Sequence, residues 1–264
     1  MGPDQSMVIL KVANAVRRFG GLIAVNDVSF EVMRGKTTGL IGPNGAGKST
    51  MFDLITGVRP LSSGDITFSG NRVTDDAPHL RSPMGMARTF QIVRLFHGLS
   101  VLENVLVGFH PKFPDGVVRS LLAGRGLGGQ ERRARDHAME VLEFVGLADR
   151  AGEPISHLTL GQFRLVDIAR ALASEPVLLM LDEPAAGLND AETGNLAAML
   201  QRLRGDGLTI LLVEHDVDFI MNACDKIVVM DRGSKIADDT PDKVRADETV
   251  IAAYIGRRAS HAAH

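Results

Sequence analysis

Glycines, a lysine and two hydroxyl residues stand at a characteristic spacing between residues 42 and 50. A predicted short buried strand, Thr37 to Ile41, comes directly before them, and a helix is predicted from Lys48 onward. In this strand–loop–helix setting, glycines let backbone N–H groups converge on one anion, Lys48 adds a positive charge and the Ser49 hydroxyl can ligate Mg²⁺. The segment therefore predicts a phosphate loop for a nucleoside triphosphate, formed by Gly42, Pro43, Asn44, Gly45, Ala46, Gly47, Lys48, Ser49 and Thr50.

Two carboxylates follow a second apolar run. Val177 to Leu181 is predicted to be a buried strand, and Asp182 and Glu183 come directly after it. Beside a phosphate loop, Asp182 can hold Mg²⁺ together with Ser49. Glu183 lies where a carboxylate can polarise a water for in-line attack on a γ-phosphate. This pairing predicts hydrolysis of the bound nucleotide.

A histidine ends a third apolar run, since Thr209 to Val213 is followed by Glu214 and His215. A lone histidine is more often structural than catalytic. However, parallel strands of one sheet bring their carboxyl ends to a common edge, where ligands bind. We therefore expect His215 to lie near the phosphate loop, where it can contact a γ-phosphate or orient the water.

An aromatic and an amide side chain are further candidates. Phe19 precedes the Gly20-Gly21 turn, where it can stack on a purine ring or belong to the core, and position alone leaves both alternatives open. Arg88 to Gln91 is predicted to be a short strand that ends in the glutamine.

A second anion site is predicted at the start of the helix from Leu160 to Ala173. A hydroxyl residue and a glycine at a helix N-terminus offer backbone N–H groups and the helix dipole to an anion. One chain does not need two anion sites for one triphosphate, but two chains arranged head to tail do. The segment consists of Leu158, Thr159, Leu160, Gly161 and Gln162.

Together these segments resemble the ATP-binding cassette (ABC) family over essentially the whole chain. The resemblance implies an α/β fold of the P-loop NTPase type, with an antiparallel β subdomain and a helical subdomain. It implies ATP and Mg²⁺ as cofactors, a dimer that encloses two ATP molecules, and an ATPase that drives transport.

The resemblance also assigns roles to the candidate residues. It makes residues 42–50 the ATP-binding loop, Phe19 the adenine-stacking aromatic and residues 158–162 the signature that contacts ATP of a partner subunit. Glu183, His215 and Gln91 become catalytic, and Ser49, Gln91 and Asp182 become magnesium contacts. The signature usually reads Leu-Ser-Gly-Gly-Gln, so Thr159 and Leu160 are departures, as is Asn189 where the dimer loop usually ends in aspartate.

Several shorter segments resemble the larger of two ATPase subunits in branched-chain amino-acid importers. The partners so implied are a second ATPase subunit, identical or different, integral membrane permease subunits and, indirectly, a periplasmic or extracellular solute-binding protein. The implied location is peripheral, on the cytoplasmic side of the inner membrane. The same ATPase type serves amide, urea and aromatic-acid importers. The segments are residues 87–91, 94–96, 100–105, 183–189 and 254–256.

The expected organisation is one ABC ATPase domain over residues 1–264. Its core and β subdomain span about 7–91 and 158–236, its helical subdomain about 92–157 and a C-terminal helical extension about 237–264. Further helices are predicted from Ser100, over residues 117–123 and over residues 130–145, and a last helix begins at Thr240-Pro241.

Composition narrows the alternatives. A formal net charge of −3 gives no reason to expect a nucleic-acid partner, and a single cysteine, Cys224, excludes an internal disulfide and a cysteine zinc site. No apolar run approaches the roughly 20 residues that span a bilayer, and the short polar N-terminus predicts no secretory signal. The competing classes are a cassette ATPase that acts on nucleic acid or the ribosome, and a nucleotide-binding regulator without hydrolysis. One phosphate loop, the absence of a long coiled coil, and the presence of Glu183, His215 and Gln91 argue against them.

Overall fold

Two β-sheets organise the computed structural model, which describes residues 7–91, 93–109 and 129–261. The larger sheet has six strands in the order β10-β9-β3-β8-β7-β6, in which β9, β3, β8, β7 and β6 are mutually parallel and β10 is antiparallel to β9. Its strands are β3 (Thr37–Ile41), β6 (Met86–Arg88), β7 (Leu178–Asp182), β8 (Thr209–Val213), β9 (Lys226–Asp231) and β10 (Ser234–Asp239).

The second sheet is antiparallel and has the order β2-β1-β4-β5. It is the antiparallel β subdomain that the family resemblance implies. Its strands are β1 (Val8–Phe19), β2 (Leu22–Met33), β4 (Ser63–Phe68) and β5 (Asn71–Arg72).

Most helices pack on one face of the larger sheet, while the helix over Lys48–Ile55 lies in the apolar cluster between the two sheets. The helices are α1 (Lys48–Ile55), α2 (Pro78–Arg81), α3 (Val101–Leu106), α4 (Gly129–Phe144), α5 (Leu160–Leu172), α6 (Asp190–Gly205), α7 (Val217–Ala223), α8 (Pro241–Ala246) and α9 (Glu248–His261). Within the described ranges, no helix is long and apolar enough to cross a membrane. The helix predicted over residues 117–123 lies outside the described residues.

Alternating residues of the buried strands point into two different cores. Leu179 and Leu181 of β7 join one cluster with the helices, while Leu178 and Met180 join the other cluster, which lies between the two sheets. Because a strand turns successive side chains to opposite faces, a sheet covered on both sides must be apolar throughout. This explains why the central strands are continuous apolar runs.

Local capping residues set several helix boundaries. Ser100 and Glu103 form the predicted capping box at the start of α3. The sequence leaves open whether Asn189 or Asp190 caps α6; the structure selects Asn189, whose side chain accepts from the backbone N–H of Glu192. The single closing helix predicted from Thr240 is wrong: Asp247 has an extended backbone, which separates α8 from α9.

Three strand predictions need correction. β6 ends at Arg88 and not at Gln91: its ladder with β7 runs from Met86, beside Leu178, to Arg88, beside Met180. The N–H of Thr89 still donates to the carbonyl of Met180, and the chain then leaves the sheet. Val177 lies outside β7, and its N–H donates to the carbonyl of Gly85 before the ladder starts. The residue is 40% exposed. β10 is not predicted from the sequence, because its polar residues lack the alternation typical of a strand.

Candidate functional site

The carboxyl ends of three adjacent strands face one cavity of about 790 Å³. The phosphate loop follows β3, Glu183 follows β7 and His215 follows β8, and these strands are neighbours in the sheet. The structure therefore brings together the groups that the sequence places at this edge. Of the predicted site residues, the cavity is lined by Phe19, Asn44, Gly45, Ala46, Gly47, Lys48, Ser49, Thr50, Gln91, Glu183 and His215.

The phosphate loop requires glycine at two of its positions. Gly42 has φ +150°, and a Cβ there would lie 2.0 Å from the carbonyl oxygen of Met230. Gly47 has φ +102°, and a Cβ there would lie 2.5 Å from the carbonyl oxygen of Ala24. Gly47 is also the N-cap of α1 and supplies no side chain to cap the helix. The first N–H groups of α1 are thus left for an anion.

Lys48 is buried within the loop. Its Nζ donates to the carbonyl oxygens of Gly42 at 2.7 Å and Pro43 at 3.2 Å. These bonds hold the ammonium group beside the loop and next to the N-terminus of α1, where its charge adds to the helix dipole. The arrangement creates a positive site suited to a phosphate group.

Glu183 is the centre of a side-chain cluster. The Nε2 of His215 lies 2.5 Å from its Oε1, and the Nε2 of Gln91 donates to its Oε2 at 2.8 Å. The three residues predicted to be catalytic therefore meet on one carboxylate, although they come from three separate segments. They lie beside the phosphate loop, in reach of the same cavity.

The backbone of Glu183 is held in a left-handed conformation, with φ +50°. Its N–H donates to the carbonyl of Val213, and its own carbonyl accepts from Nη1 of Arg164 at 3.0 Å. Such conformations are costly for a residue with a side chain and persist only where the surroundings enforce them. Here they turn the carboxylate out of the strand direction and towards the cavity.

Glu214 joins the loops that follow β7 and β8. Its carboxylate accepts from the N–H of Ala185 at 2.6 Å and from the N–H of His215 at 3.0 Å. Burial raises the pKa of Glu214, and the two N–H groups oppose that rise. No role for Glu214 is predicted from the sequence, although its place beside His215 after a buried strand is a signal that could indicate one.

Asp182 does not line the cavity and is only 3% exposed. Burial raises the pKa of its carboxyl, while the guanidinium of Arg88, which donates to Oδ2 at 3.0 Å, lowers it. Its Oδ1 has no hydrogen-bond partner within the described part of the chain.

The oxygen ligands near the loop fit Mg²⁺. This ion prefers one or two protein oxygens together with phosphate and water, rather than a cage of side chains. Ser49 at the start of α1 supplies one such oxygen, and Oδ1 of Asp182, which has no hydrogen-bond partner among the described residues, supplies another. Residues 7–91, 93–109 and 129–261 contain no group of three His, Cys, Asp or Glu side chains suited to a metal.

Phe19 lies at the cavity and belongs to neither apolar cluster. The guanidinium carbons of Arg17 and Arg59 lie 4.6 and 5.3 Å from the centre of its ring. Of the two alternatives that the sequence left open, the structure excludes the core position. The ring lies at the end of β1, opposite the phosphate loop.

The signature segment lies apart from this cavity. Thr159 caps α5 through a reciprocal pair of bonds with Gln162, and Leu160 is 55% exposed. Thr159, Gly161 and Gln162 line a different cavity of about 710 Å³. The structure therefore does not bring the second predicted anion site to the phosphate loop of the same chain.

Comparisons with known proteins agree with this geometry. A family model described as ABC transporter matches residues 25–186, and one described as branched-chain amino acid ATP-binding cassette transporter matches residues 234–260. The high-affinity branched-chain amino acid transport ATP-binding proteins LivG of Salmonella typhimurium and BraF of Pseudomonas aeruginosa are each 40% identical over 252 residues. Each alignment covers 95% of this chain and 99% of the relative.

A solved structure has the same fold. It is the ADP conformation of an ATP-binding cassette of an ABC transporter, with a TM-score of 0.83 and 33% identity, covering 95% of this chain and 99% of that one. The predicted α/β fold is thus confirmed. With a family model over more than half of its length and relatives that it matches almost from end to end, the chain belongs to the ABC transporter family, as one of its ATP-binding cassette ATPases.

Proposed function

We propose that this ATPase drives the import of branched-chain or related hydrophobic amino acids. The observation that carries the proposal is the 40% identity to LivG and BraF over 95% of the chain. The second family model supports it independently, because residues 234–260 lie outside the part matched by the general cassette model.

In the proposed hydrolysis, Glu183 is the general base. Its carboxylate accepts a proton from a water whose oxygen attacks the γ-phosphorus, and ADP leaves on the opposite side. His215 and Gln91 hold the two oxygens of this carboxylate. They orient the base and the water, and the left-handed backbone of Glu183 keeps its side chain at the cavity.

ATP would be held by residues 42–50, with Phe19 stacked on the adenine ring. Lys48 and the N–H groups at the start of α1 would bind the phosphate oxygens. Ser49, Gln91 and Asp182 would hold Mg²⁺, which neutralises charge on the phosphates when bound. The loop glycines support this assignment, as does Oδ1 of Asp182, which has no partner in the part of the chain that the structure describes.

A second ATPase subunit, identical or different, would complete the site. The signature residues 158–162 lie at a cavity other than that of the phosphate loop. A head-to-tail partner would bring its own signature to the bound ATP. We retain the division into a core of about 7–91 and 158–236, a helical subdomain of about 92–157 and an extension of about 237–264 as part of this proposal.

A groove of about 500 Å³ would receive the integral membrane permease. Its lining includes Phe90 and Phe96, which are 49% and 52% exposed, so the groove presents aromatic surface next to the segment that carries Gln91. A permease there would place the chain on the cytoplasmic side of the inner membrane, and a solute-binding protein would contact it only through the permease. No nucleic-acid partner is proposed.

Reconstitution tests the proposal. The chain is co-expressed with the permease and ATPase subunits encoded beside it and placed in vesicles, with ATP inside and the solute-binding protein outside. Uptake of labelled leucine, urea, a short amide and an aromatic acid is then measured. Leucine uptake that requires ATP is expected. Uptake of only one of the other solutes would make that solute, and not branched-chain amino acids, the substrate. Recovery of the ATPase only with ribosomes or DNA would overturn the transport function.

A further inference from the structure

Arg88 contacts the strand that carries Asp182 and the helix that follows the phosphate loop. Its Nη2 donates to Oδ2 of Asp182 at 3.0 Å, and its Nη1 donates to Oδ1 of Asp53 at 2.7 Å. Nη1 also lies 3.2 Å from the hydroxyl of Thr56, at the end of α1. One guanidinium thus joins β7 to α1, whose first turn contains Ser49.

The guanidinium is itself fixed in place. The side chain of Arg88 is 9% exposed, and its central carbon lies 5.5 Å from the ring centre of Phe52 and 5.1 Å from that of Phe90. A planar fork between two carboxylates and two rings has little freedom to move, and a lysine ammonium could not reproduce both contacts. This side chain therefore links β7 to α1 through fixed contacts.

The charge of Arg88 accounts for the buried state of Asp182. A buried carboxylate without a paired cation is strongly disfavoured. Because Arg88 engages only Oδ2, it compensates the charge while Oδ1 keeps no hydrogen-bond partner among the described residues. One oxygen is committed to the protein, and the other is left for a ligand.

We propose that Arg88 is a positioning residue for magnesium, which sets the spacing between Ser49 and Asp182 and orients Asp182 so that Oδ1 is available to the ion. The inference rests on the proposed function, because it presupposes that the chain binds ATP with Mg²⁺. Arg88 itself would contact neither the ion nor the nucleotide.

The test separates metal binding from nucleotide binding. ATP affinity of the wild type and of Arg88→Gln is measured by calorimetry in EDTA and over a series of free Mg²⁺ concentrations. Binding of Mn²⁺ in the presence of ADP is followed by electron paramagnetic resonance. We expect equal ATP affinity in EDTA within about 2-fold, and a half-saturating metal concentration raised about 10-fold or more, the usual effect of losing a residue that orients a metal ligand.

Two further variants and one control complete the design. Arg88→Lys keeps the charge but not the fork, so we expect a smaller shift than with Arg88→Gln. Asp53→Asn removes the charge of the anchor on α1, together with the ion pair to Arg59, and decides the question if Arg88→Gln fails to fold. Arg72→Gln is the matched control, because Arg72 also bridges two aspartates, Asp65 and Asp75, but in the antiparallel sheet.

The outcomes are distinguishable. If the wild type shows no Mg²⁺-dependent ATP binding, the proposed function fails. If the wild type shows Mg²⁺-dependent ATP binding and a folded Arg88→Gln has the same half-saturating metal concentration as the wild type, the role of Arg88 is overturned. If Arg88→Gln does not fold, an unchanged half-saturating metal concentration in Asp53→Asn overturns it. An equal loss of ATP affinity with and without metal would also overturn it, since that would indicate damage to the phosphate loop.

Discussion

The Nε2 of His215 lies 2.5 Å from Oε1 of Glu183, although 31 residues separate them along the chain, residues 184–214. β7 and β8 are adjacent parallel strands, and each residue follows the carboxyl end of its strand. Because the opposite oxygen of Glu183 accepts from Gln91, the carboxylate is held at both oxygens. The site thus depends on three loops that the sheet brings to one edge.

Replacing Glu183 by glutamine tests its role as the base. The amide keeps the shape of the side chain but cannot accept the proton, so ATP binding is expected to persist while turnover falls roughly 10²-fold or more. ATP should then accumulate in a dimer, detected by size-exclusion chromatography. Glu140→Gln, at an exposed position of α4, is the control. Unchanged turnover in Glu183→Gln would remove Glu183 from this role.

Replacing Lys48 by alanine tests the phosphate loop. The variant loses the ammonium group that lies beside Gly42 and Pro43, and ATP affinity measured by calorimetry is expected to fall at least 10-fold, in line with the loss of a charge-assisted contact to phosphate. Lys36→Ala removes a more exposed lysine before β3 and should leave affinity unchanged. Equal affinities for both variants would contradict the assignment of the loop.

The sequence predicts the contents of this edge well, because each group follows a recognisable apolar strand. Glu183 and His215 can be placed from strand order alone, since parallel strands share a carboxyl edge. Arg88 cannot, because its partners Asp53 and Asp182 are 35 and 94 residues away and no periodicity relates them. The left-handed backbone of Glu183 is likewise invisible, because glutamate carries no preference for it.

The pH dependence of stability is expected to reveal the buried carboxyl of Glu214. Burial raises its pKa in the folded state, so its contribution to stability is present below the unfolded pKa of about 4.3 and is lost as the pH rises through the folded pKa. The free energy of unfolding of Glu214→Gln minus that of the wild type should therefore increase with pH above about 4.3. Urea titrations at a series of pH values measure it, and a difference that does not vary with pH would contradict the burial of a charged group.

Cys224 provides a probe of the core under α7. It is the one cysteine of the chain, and burial raises its pKa to about 12. Because the thiolate is the reactive form, the native protein at pH 8 should react with a disulfide reagent far more slowly than the unfolded protein. In guanidinium chloride, one equivalent of the reagent's thiol per protein chain should be released at once. Rapid reaction of the native protein would show that the packing around Cys224 opens readily.

Two glycine substitutions should have different effects, one on ATP binding and the other on the free energy of unfolding. Gly47→Ala places a methyl group 2.5 Å from the carbonyl oxygen of Ala24 at φ +102°, so it should displace the phosphate loop and weaken ATP binding. Gly194→Ala lies within α6, where a Cβ meets no atom within 4 Å, and should raise the free energy of unfolding by about 0.4–1 kcal/mol. Urea denaturation and calorimetry of both variants measure the two effects. Normal ATP affinity in Gly47→Ala would show that the loop tolerates a side chain at the N-cap of α1. The anion site would then not depend on the close approach of the Gly47 backbone to Ala24 of β2.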